Sequence, residues 1–251
     1  TVLNYSYKTG SEVQTGKQVI ANTAFDDFGN VTDRKISSYF GATATLIDFR
    51  HEKLIKYDAQ RRVTTSVSYS YADATEVVGV LLDITETRNL AFDAATGIAT
   101  SVQQVTYADS AMSSILGVKV ITNSGIDSKG NVANISVVNY KAASINGTTG
   151  VITPSGDLYK ETIVNSNPDN WGNIGLQTIV TKNWGTTDYT VFAGARKIQN
   201  NSFDAYGRMM TSTVTSYSDE TWAAASIMDR QDIIVDSVAG YNSFGNVLKE
   251  V

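Results

Sequence analysis

Larger and smaller side chains alternate along much of this chain, and the alternation restarts after each copy of a short turn motif. Between Val63 and Tyr71, larger residues stand at every second position, and Thr or Ser stands between them. This period of two predicts a β-strand with one larger face and one small hydroxyl face. Segments of about ten residues could reach ~33 Å, which is long for a strand of a globular domain. We therefore expect an all-β fold.

The turn motif consists of an aromatic residue, an Asp or Asn, two variable residues, a Gly, one further residue and an apolar residue. Residues 25–31 and 203–209 are the clearest copies. Counted from the Asp or Asn, seven copies follow one another at intervals of 32 to 42 residues. A repeat of this length predicts a tandem array, and each copy predicts one β-hairpin.

Each residue type in the motif has a physical role in a hairpin turn. The Asp accepts a hydrogen bond from the amide two residues on, and the Gly supplies a positive φ. No second carboxylate keeps a fixed spacing to the Asp, which favours a turn role over metal binding. The predicted turn residues are Asp26, Gly29, Asp58, Asp93, Asp127, Gly130, Asp169, Gly172, Asp204, Gly207, Asn242 and Gly245.

An apolar residue stands five positions after each Asp or Asn. We expect it to pair across the hairpin with the residue before the Asp and to point into a common core. These positions are Val31, Val63, Ile98, Val132, Ile174, Met209 and Val247.

Local departures from the repeat predict three further features. Gly97 stands one place late, which predicts a longer turn at Asp93. Asp219 could begin a short helix through Trp222 and the apolar residues after it. The longest interval contains Asn-Gly and Thr-Gly pairs within residues 146–150, which suggest an extra small hairpin.

Composition narrows the class of protein. The net charge is −5, and the sequence has no cluster of basic residues that could hold phosphates. We therefore expect no nucleic-acid partner. No apolar stretch is long enough to span a bilayer, so membrane insertion is not expected. Cysteine is absent, which excludes disulfides and thiol catalysis. The acidic, Ser/Thr-rich composition favours an extracellular or cell-surface location.

Candidate chemistry is sparse. The single histidine, His51, stands among charged residues and is interpreted as a solvated loop residue. No nucleophile-elbow, zinc-protease or phosphate-loop motif is present, so we predict no catalytic residue, no metal, no cofactor and no enzymatic activity. The tryptophans, Trp171, Trp184 and Trp222, could stack on sugars, but packing between repeats is favoured.

The copy Phe203-Asp204-Ala205-Tyr206-Gly207-Arg208-Met209 resembles the YD repeat of the RHS and teneurin families. Those families are extracellular or secreted β proteins. The resemblance implies hairpins wound into a spiralling sheet that can form a hollow shell, and a role in adhesion or in toxin encapsulation.

The two ends of the chain read as parts of one repeat. Residues 245–251 begin a strand, and residues 1–5 read as its missing end. The chain could be a segment of a longer tandem protein, could close on itself, or could pair head to tail with another copy. We favour a single array over residues 1–251 within a longer chain, built as an elongated solenoid or spiralling antiparallel sheet. A seven-bladed propeller-like ring is the alternative.

The expected function is that of a structural or adhesive module that can extend into rods or fibres. Its expected partners are neighbouring repeats, further copies of itself, or cell-surface glycans and proteins. A glycan-binding domain is the alternative, and a shell segment of a secreted toxin is the third hypothesis.

Overall fold

The computed structural model describes residues 2–8, 11–40, 45–146, 148–204 and 207–235. Its strands form one antiparallel sheet in which each strand pairs with its neighbours in sequence. The strands are β1 (Val2–Lys8), β2 (Ser11–Phe25), β3 (Val31–Phe40), β4 (Thr45–Tyr57), β5 (Val63–Tyr71), β6 (Leu81–Phe92), β7 (Ala99–Tyr107), β8 (Ile115–Ile126), β9 (Val132–Ile145), β10 (Ile152–Pro168), β11 (Ile174–Asn183), β12 (Val191–Phe203), β13 (Met209–Tyr217) and β14 (Ile227–Ile234).

This topology confirms the prediction of an all-β fold made of consecutive hairpins. A propeller would divide its strands among separate blades, whereas these strands follow a single order from β1 to β14. The propeller alternative is therefore wrong. The helices found are two short 3₁₀ turns, Val78–Val80 and Ala224–Ser226. Neither of these described helices is long and apolar enough to cross a membrane.

The chain divides into two compact units. The first comprises Thr1–Ala91, Val102–Lys119 and Lys141–Gly156, and the second comprises Phe92–Ser101, Val120–Tyr140 and Asp157–Val251.

The first unit holds most of the buried apolar side chains. The most deeply buried belong to β6, β7 and β8: Ile84, Val105, Tyr107 and Val118. The Tyr107 hydroxyl donates to the Glu86 carboxylate over 3.1 Å. Burial, together with this carboxylate, raises the pKa of Tyr107 to about 12.

The longest interval does not form the extra hairpin that its turn residues suggest. Instead it lengthens β9 to 14 residues and β10 to 17 residues, and residues 146–151 connect them. The end of this arm packs within the first unit, where Arg88 and Gln103 donate to the carbonyls of Gly150 and Ile152. The additional residues extend the hairpin of β9 and β10. The longer hairpin is favoured because it brings Ile152 to a buried position.

The second unit has few buried apolar side chains among its described residues: Ala195, Tyr217 and Val235. Several of its buried side chains are polar, including Ser212 and Thr215. The buried positions of this unit therefore include hydroxyl groups as well as apolar side chains.

The apolar residues five after each Asp pair as expected but do not form the core. Phe25 lies opposite Val31, and Phe203 lies opposite Met209. All of these apolar residues that the structure describes are nevertheless only half-buried, so the core prediction is wrong for them. The reason is their position beside the turn, since the buried side chains lie further along the strands, at positions such as Val67.

One short helical turn forms in the segment after Asp219, as expected, but it is a 3₁₀ turn whose N-cap is Ala223 and not Asp219. Asp219 accepts hydrogen bonds from the amide and the hydroxyl of Thr221, over 2.8 and 2.6 Å. The Ser218 amide donates to the Ser226 carbonyl, which closes the connection and starts β14 at Ile227. Strand pairing with β13 thus prevails over the weak helical tendency of this segment.

Candidate functional site

We name the connections that carry the repeated motif the Asp-Gly turns; they join β2 to β3, β4 to β5, β6 to β7, β8 to β9, β10 to β11 and β12 to β13. In the turn after β8, Oδ1 of Asp127 accepts the amides of Lys129 and Asn131, each over 2.9 Å. Oδ2 accepts the Asn131 side-chain amide over 2.8 Å. Equivalent bonds to the side chain four residues on are made by Asp26, Asp58, Asp169 and Asp204. Both carboxylate oxygens therefore stiffen these turns.

These hydrogen bonds also lower the pKa of the Asp carboxyl in the turn. Donation from the side chain and amide of Asn131 holds the pKa of Asp127 below its ordinary value of 3.8. The pKa of Asp169 is lowered in the same way by Asn173. The turn therefore stabilises the ionised form of the carboxyl, because only that form can accept all of these hydrogen bonds.

The third residue after the Asp has a left-handed backbone. It is glycine in most turns, with φ of +81° at Gly29, +88° at Gly130, +87° at Gly172 and +76° at Gly207. In the turn after β4 the position is held by Arg61, with φ of +62°. The turn at Asp93 is one residue longer, as expected, because its amide bonds to the Ile98 carbonyl and Gly97 takes the left-handed position.

In the second unit, consecutive Asp-Gly turns touch one another. A Cβ on Gly172 would lie 2.8 Å from Oδ1 of Asn131, and one on Gly207 would lie 3.0 Å from Nδ2 of Asn173. At Gly29, by contrast, a Cβ would meet nothing within 4 Å. At Gly172 and Gly207 the close approach of a neighbouring side chain therefore adds to the positive φ in disfavouring a residue with a Cβ.

Adjacent hairpins are also joined by asparagines that stand four residues before the Asp. The Asn89 side chain donates to the Val63 carbonyl over 2.7 Å, at the end of the strand pairing between β5 and β6. Asn123, Asn165 and Asn200 donate in the same way to the carbonyls of the hairpin before them. Sequence reasoning missed this role, although an asparagine four residues before the Asp is visible in most copies of the motif; Leu54 stands there before Asp58.

Two Asp-Gly turns present a large aromatic side chain to solvent. Phe28 is 72% exposed and Trp171 is 87% exposed, and both stand two residues after the Asp. The interpretation of Trp171 as a packed residue is therefore wrong, since the turn directs it away from the sheet. Trp222 packs edge-on against Tyr217 at 5.1 Å between ring centroids, and Trp184 packs against Tyr189 at 4.9 Å.

A second class of connection follows the sequence Tyr-Ala-Asp or Tyr-Ser-Asp; we call these the Tyr-Asp turns. They join β5 to β6, β7 to β8 and β13 to β14. The third residue after the Asp is again left-handed, but it is Glu76 (φ +58°), Met112 (φ +55°) or Trp222 (φ +59°) rather than glycine. This shared backbone was not predicted, because no glycine marks the position.

His51 is a buried strand residue and not a solvated loop residue, so that interpretation is wrong. It lies in β4, opposite Lys35 of β3 and Tyr69 of β5. Its ring nitrogens face two carboxylates, with Nε2 2.9 Å from Asp33 and Nδ1 2.6 Å from Glu76. Ionised carboxylates only accept hydrogen bonds, so a ring nitrogen that bears a proton donates to the carboxylate that it faces.

Further partners complete this cluster. Thr23 donates to Asp33, and the Lys35 ammonium pairs with Glu76. Burial alone would raise the pKa of both carboxyls, but bonds from Thr23 and His51 at Asp33, and from Lys35 and His51 at Glu76, hold each pKa below its ordinary value. Because the carboxylates approach opposite sides of the ring, they do not converge on one point, and no metal-binding group occurs among the described residues.

The predicted turn residues that the structure describes all lie in the Asp-Gly turns, whereas Asn242, Gly245 and Val247 lie outside the described residues. So do Thr1 and residues 236–251, on which the joining of the two ends depends. No protein-family model matches the chain, and no curated protein matches it.

Proposed function

We propose that the chain is a structural or adhesive repeat module of an extracellular or cell-surface protein, and that it has no enzymatic activity. One observation supports this most strongly. The two most exposed aromatic side chains among the described residues, Phe28 and Trp171, occupy the same position of the same stiffened turn.

A large exposed aromatic residue contributes to recognition when its backbone is already ordered. The Trp171 amide donates to Asp169 over 2.8 Å, and the neighbouring Lys129 ammonium donates to the Asn170 carbonyl over 2.9 Å. The turn is therefore fixed before binding, which lowers the entropy lost in a contact. Aromatic side chains in such positions commonly dominate the energy of an interface.

The His51 cluster supports a structural role in the same proposal. Both ring nitrogens are engaged by carboxylates, so neither is left to remove a proton from a nucleophile. The cluster ties β3, β4 and the connection after β5 together within the first unit.

The test is the retention, under flow, of beads coated with the purified chain. The beads pass over surfaces of mucin, of collagen and of the chain itself. We expect parent beads to be retained on at least one surface. Retention should fall about tenfold or more when Phe28→Ser and Trp171→Ser are combined, because an aromatic hot spot contributes at least ~2 kcal/mol.

The chain offers a matched control in Gln60, which stands at the same turn position as Phe28 but is polar. Gln60→Ser should leave retention unchanged. The proposal fails if parent beads are held no better than albumin-coated beads on all three surfaces, or if the double variant is retained like the parent.

A further inference from the structure

A polar groove of about 370 Å³ lies on one face of the second unit, along β12, β13 and β14. Its lining includes Lys197 and Gln199 of β12, Thr213 and Thr215 of β13, and Arg230 of β14. A surface that is built on paired strands holds its side chains in fixed relative positions, which favours recognition.

The strand register places the two cations of the groove in one row. Lys197 lies opposite Thr215, and Thr215 lies opposite Arg230. Neighbouring strands are ~4.8 Å apart, so the backbones of Lys197 and Arg230 are separated by roughly 10 Å. Both side chains are long enough to reach an anion held above Thr215.

The next row contains the hydrogen-bonding groups. Gln199 lies opposite Thr213, and Thr213 lies opposite Asp232. Asp232 accepts bonds from the Thr213 hydroxyl over 2.8 Å and from Nη2 of Arg230 over 3.1 Å, which orients the guanidinium. In the described part of the chain, Lys197 has no ion pair and Gln199 has no side-chain hydrogen bond.

Charge and chemistry identify the occupant. Lys197 and Arg230 outnumber Asp232, so the groove is locally positive in a chain whose net charge is −5. Two cations suit a single carboxylate, whereas a nucleic acid would need a longer basic stripe. The Gln199 amide can donate and accept hydrogen bonds, and the Thr213 hydroxyl, which donates to Asp232, can still accept one; both match the hydroxyls of a sugar.

We infer that this groove binds a carboxylate-bearing polysaccharide, with the uronate carboxylate between Lys197 and Arg230 and the sugar hydroxyls on Gln199 and Thr213. The site is separate from the aromatic turn residues of the proposed function and would give the module a chemically defined partner.

The experiment is calorimetric titration of the full chain with a hexamer of galacturonic acid. The same hexamer with all carboxyls methyl-esterified is the neutral control, and a hexaglutamate peptide offers carboxylates without sugar. We expect measurable binding of the acidic hexamer only. Lys197→Gln should weaken binding about fivefold and Arg230→Gln about tenfold, since each removes a charge-assisted hydrogen bond.

Lys119→Gln is the matched control, because this exposed lysine of β8 lies in the first unit and its substitution changes the net charge equally. It should leave the affinity unchanged. Circular dichroism melts verify that every variant folds like the parent.

The inference is overturned if the acidic hexamer does not bind, if its methyl ester or the peptide binds equally well, or if Lys197→Gln and Arg230→Gln bind like the parent. Bead retention separates this inference from the proposed function. Groove variants should keep the retention that depends on Phe28 and Trp171, so either idea can fail while the other stands.

Discussion

The Asp-Gly turns and the Tyr-Asp turns share a backbone but differ in the residue at its left-handed position. In both classes the Asp side chain accepts amides two or more residues on, as Asp26 and Asp73 do. In both, the third residue after the Asp has a positive φ, except in the longer turn at Asp93, where it is the fourth residue, Gly97. The Asp-Gly turns mostly place glycine there, whereas the Tyr-Asp turns place Glu76, Met112 and Trp222.

The difference lies in what surrounds the position. Gly172 has the Asn131 side chain against it, so a larger residue there would have to displace that side chain. Glu76 instead reaches His51 and Lys35, and Trp222 packs on Tyr217. At Glu76 and Trp222 these side-chain contacts therefore offset the backbone strain of a left-handed residue, which is of order 1–2 kcal/mol.

The largest expected effect is that of Gly172→Ala. Left-handed strain and the 2.8 Å approach of Cβ to Asn131 act together, so we expect a loss of about 2–3 kcal/mol in the free energy of unfolding. Gly29→Ala has strain alone and should lose about 1 kcal/mol. Urea unfolding of both variants measures the difference, and equal losses would show that neighbouring turns do not restrict the position.

A smaller difference in the free energy of unfolding is expected between the variants Glu76→Gly and Met112→Gly. Both substitutions relieve left-handed strain, but the first also leaves His51 and Lys35 without a carboxylate partner. We expect Glu76→Gly to lose about 1 kcal/mol and Met112→Gly to change stability by less than ~0.5 kcal/mol. Thermal unfolding of the pair checks this, and a stabilised Glu76→Gly variant would refute the role given to its contacts.

Arg61→Gly should stabilise the protein. Arg61 holds the left-handed position of an Asp-Gly turn, and its side chain is exposed. Glycine there removes strain, so we expect a gain of about 0.5 kcal/mol. The matched control is Gln60→Gly, whose position is not left-handed and which should not stabilise. A lower melting temperature for Arg61→Gly would contradict the strain argument.

The smallest effect concerns pH. The pKa of the Asp127 carboxyl is lower in the folded than in the unfolded chain, because the side chain and amide of Asn131 donate hydrogen bonds to it. The stability it contributes is therefore present above the unfolded pKa, near 3.9, and is lost as pH falls through the folded pKa. Asp127→Asn should keep the turn but show a shallower loss of stability in acid. Melting curves between pH 2 and 7 test this, and parallel acid profiles for the two proteins would contradict it.

The local chemistry of the fold could be predicted from sequence, whereas its long-range contacts could not. Asp, Gly and the paired aromatic lie within seven residues, so one copy of the motif specifies one hairpin turn. The partners of His51 stand 18 and 25 residues away, in other elements. Only the strand register brings Asp33 to the ring, and only the left-handed Glu76 supplies the second carboxylate.

The other wrong or missed predictions also concern contacts between elements that are distant in sequence. Trp171 was expected to pack because large aromatics usually do, but its position two residues after Asp169 directs it outward. Asn89, Asn123, Asn165 and Asn200 bond to the preceding hairpin, so their role becomes visible only when hairpins are placed side by side. The groove residues of β12 to β14 are ordinary strand residues in sequence, and the register alone aligns them.

The central claim is that neighbouring Asp-Gly turns restrict one another through side-chain contact. A double-mutant cycle between Asn131 and Gly172 tests this claim most directly. Asn131→Ala removes the side chain that Cβ of Gly172→Ala would meet. We predict that Gly172→Ala costs at least ~0.5 kcal/mol less in the Asn131→Ala background than in the parent, as expected for residues in contact. An equal loss of unfolding free energy in both backgrounds would show that the two turns are independent. That result would contradict the claim that neighbouring turns restrict one another.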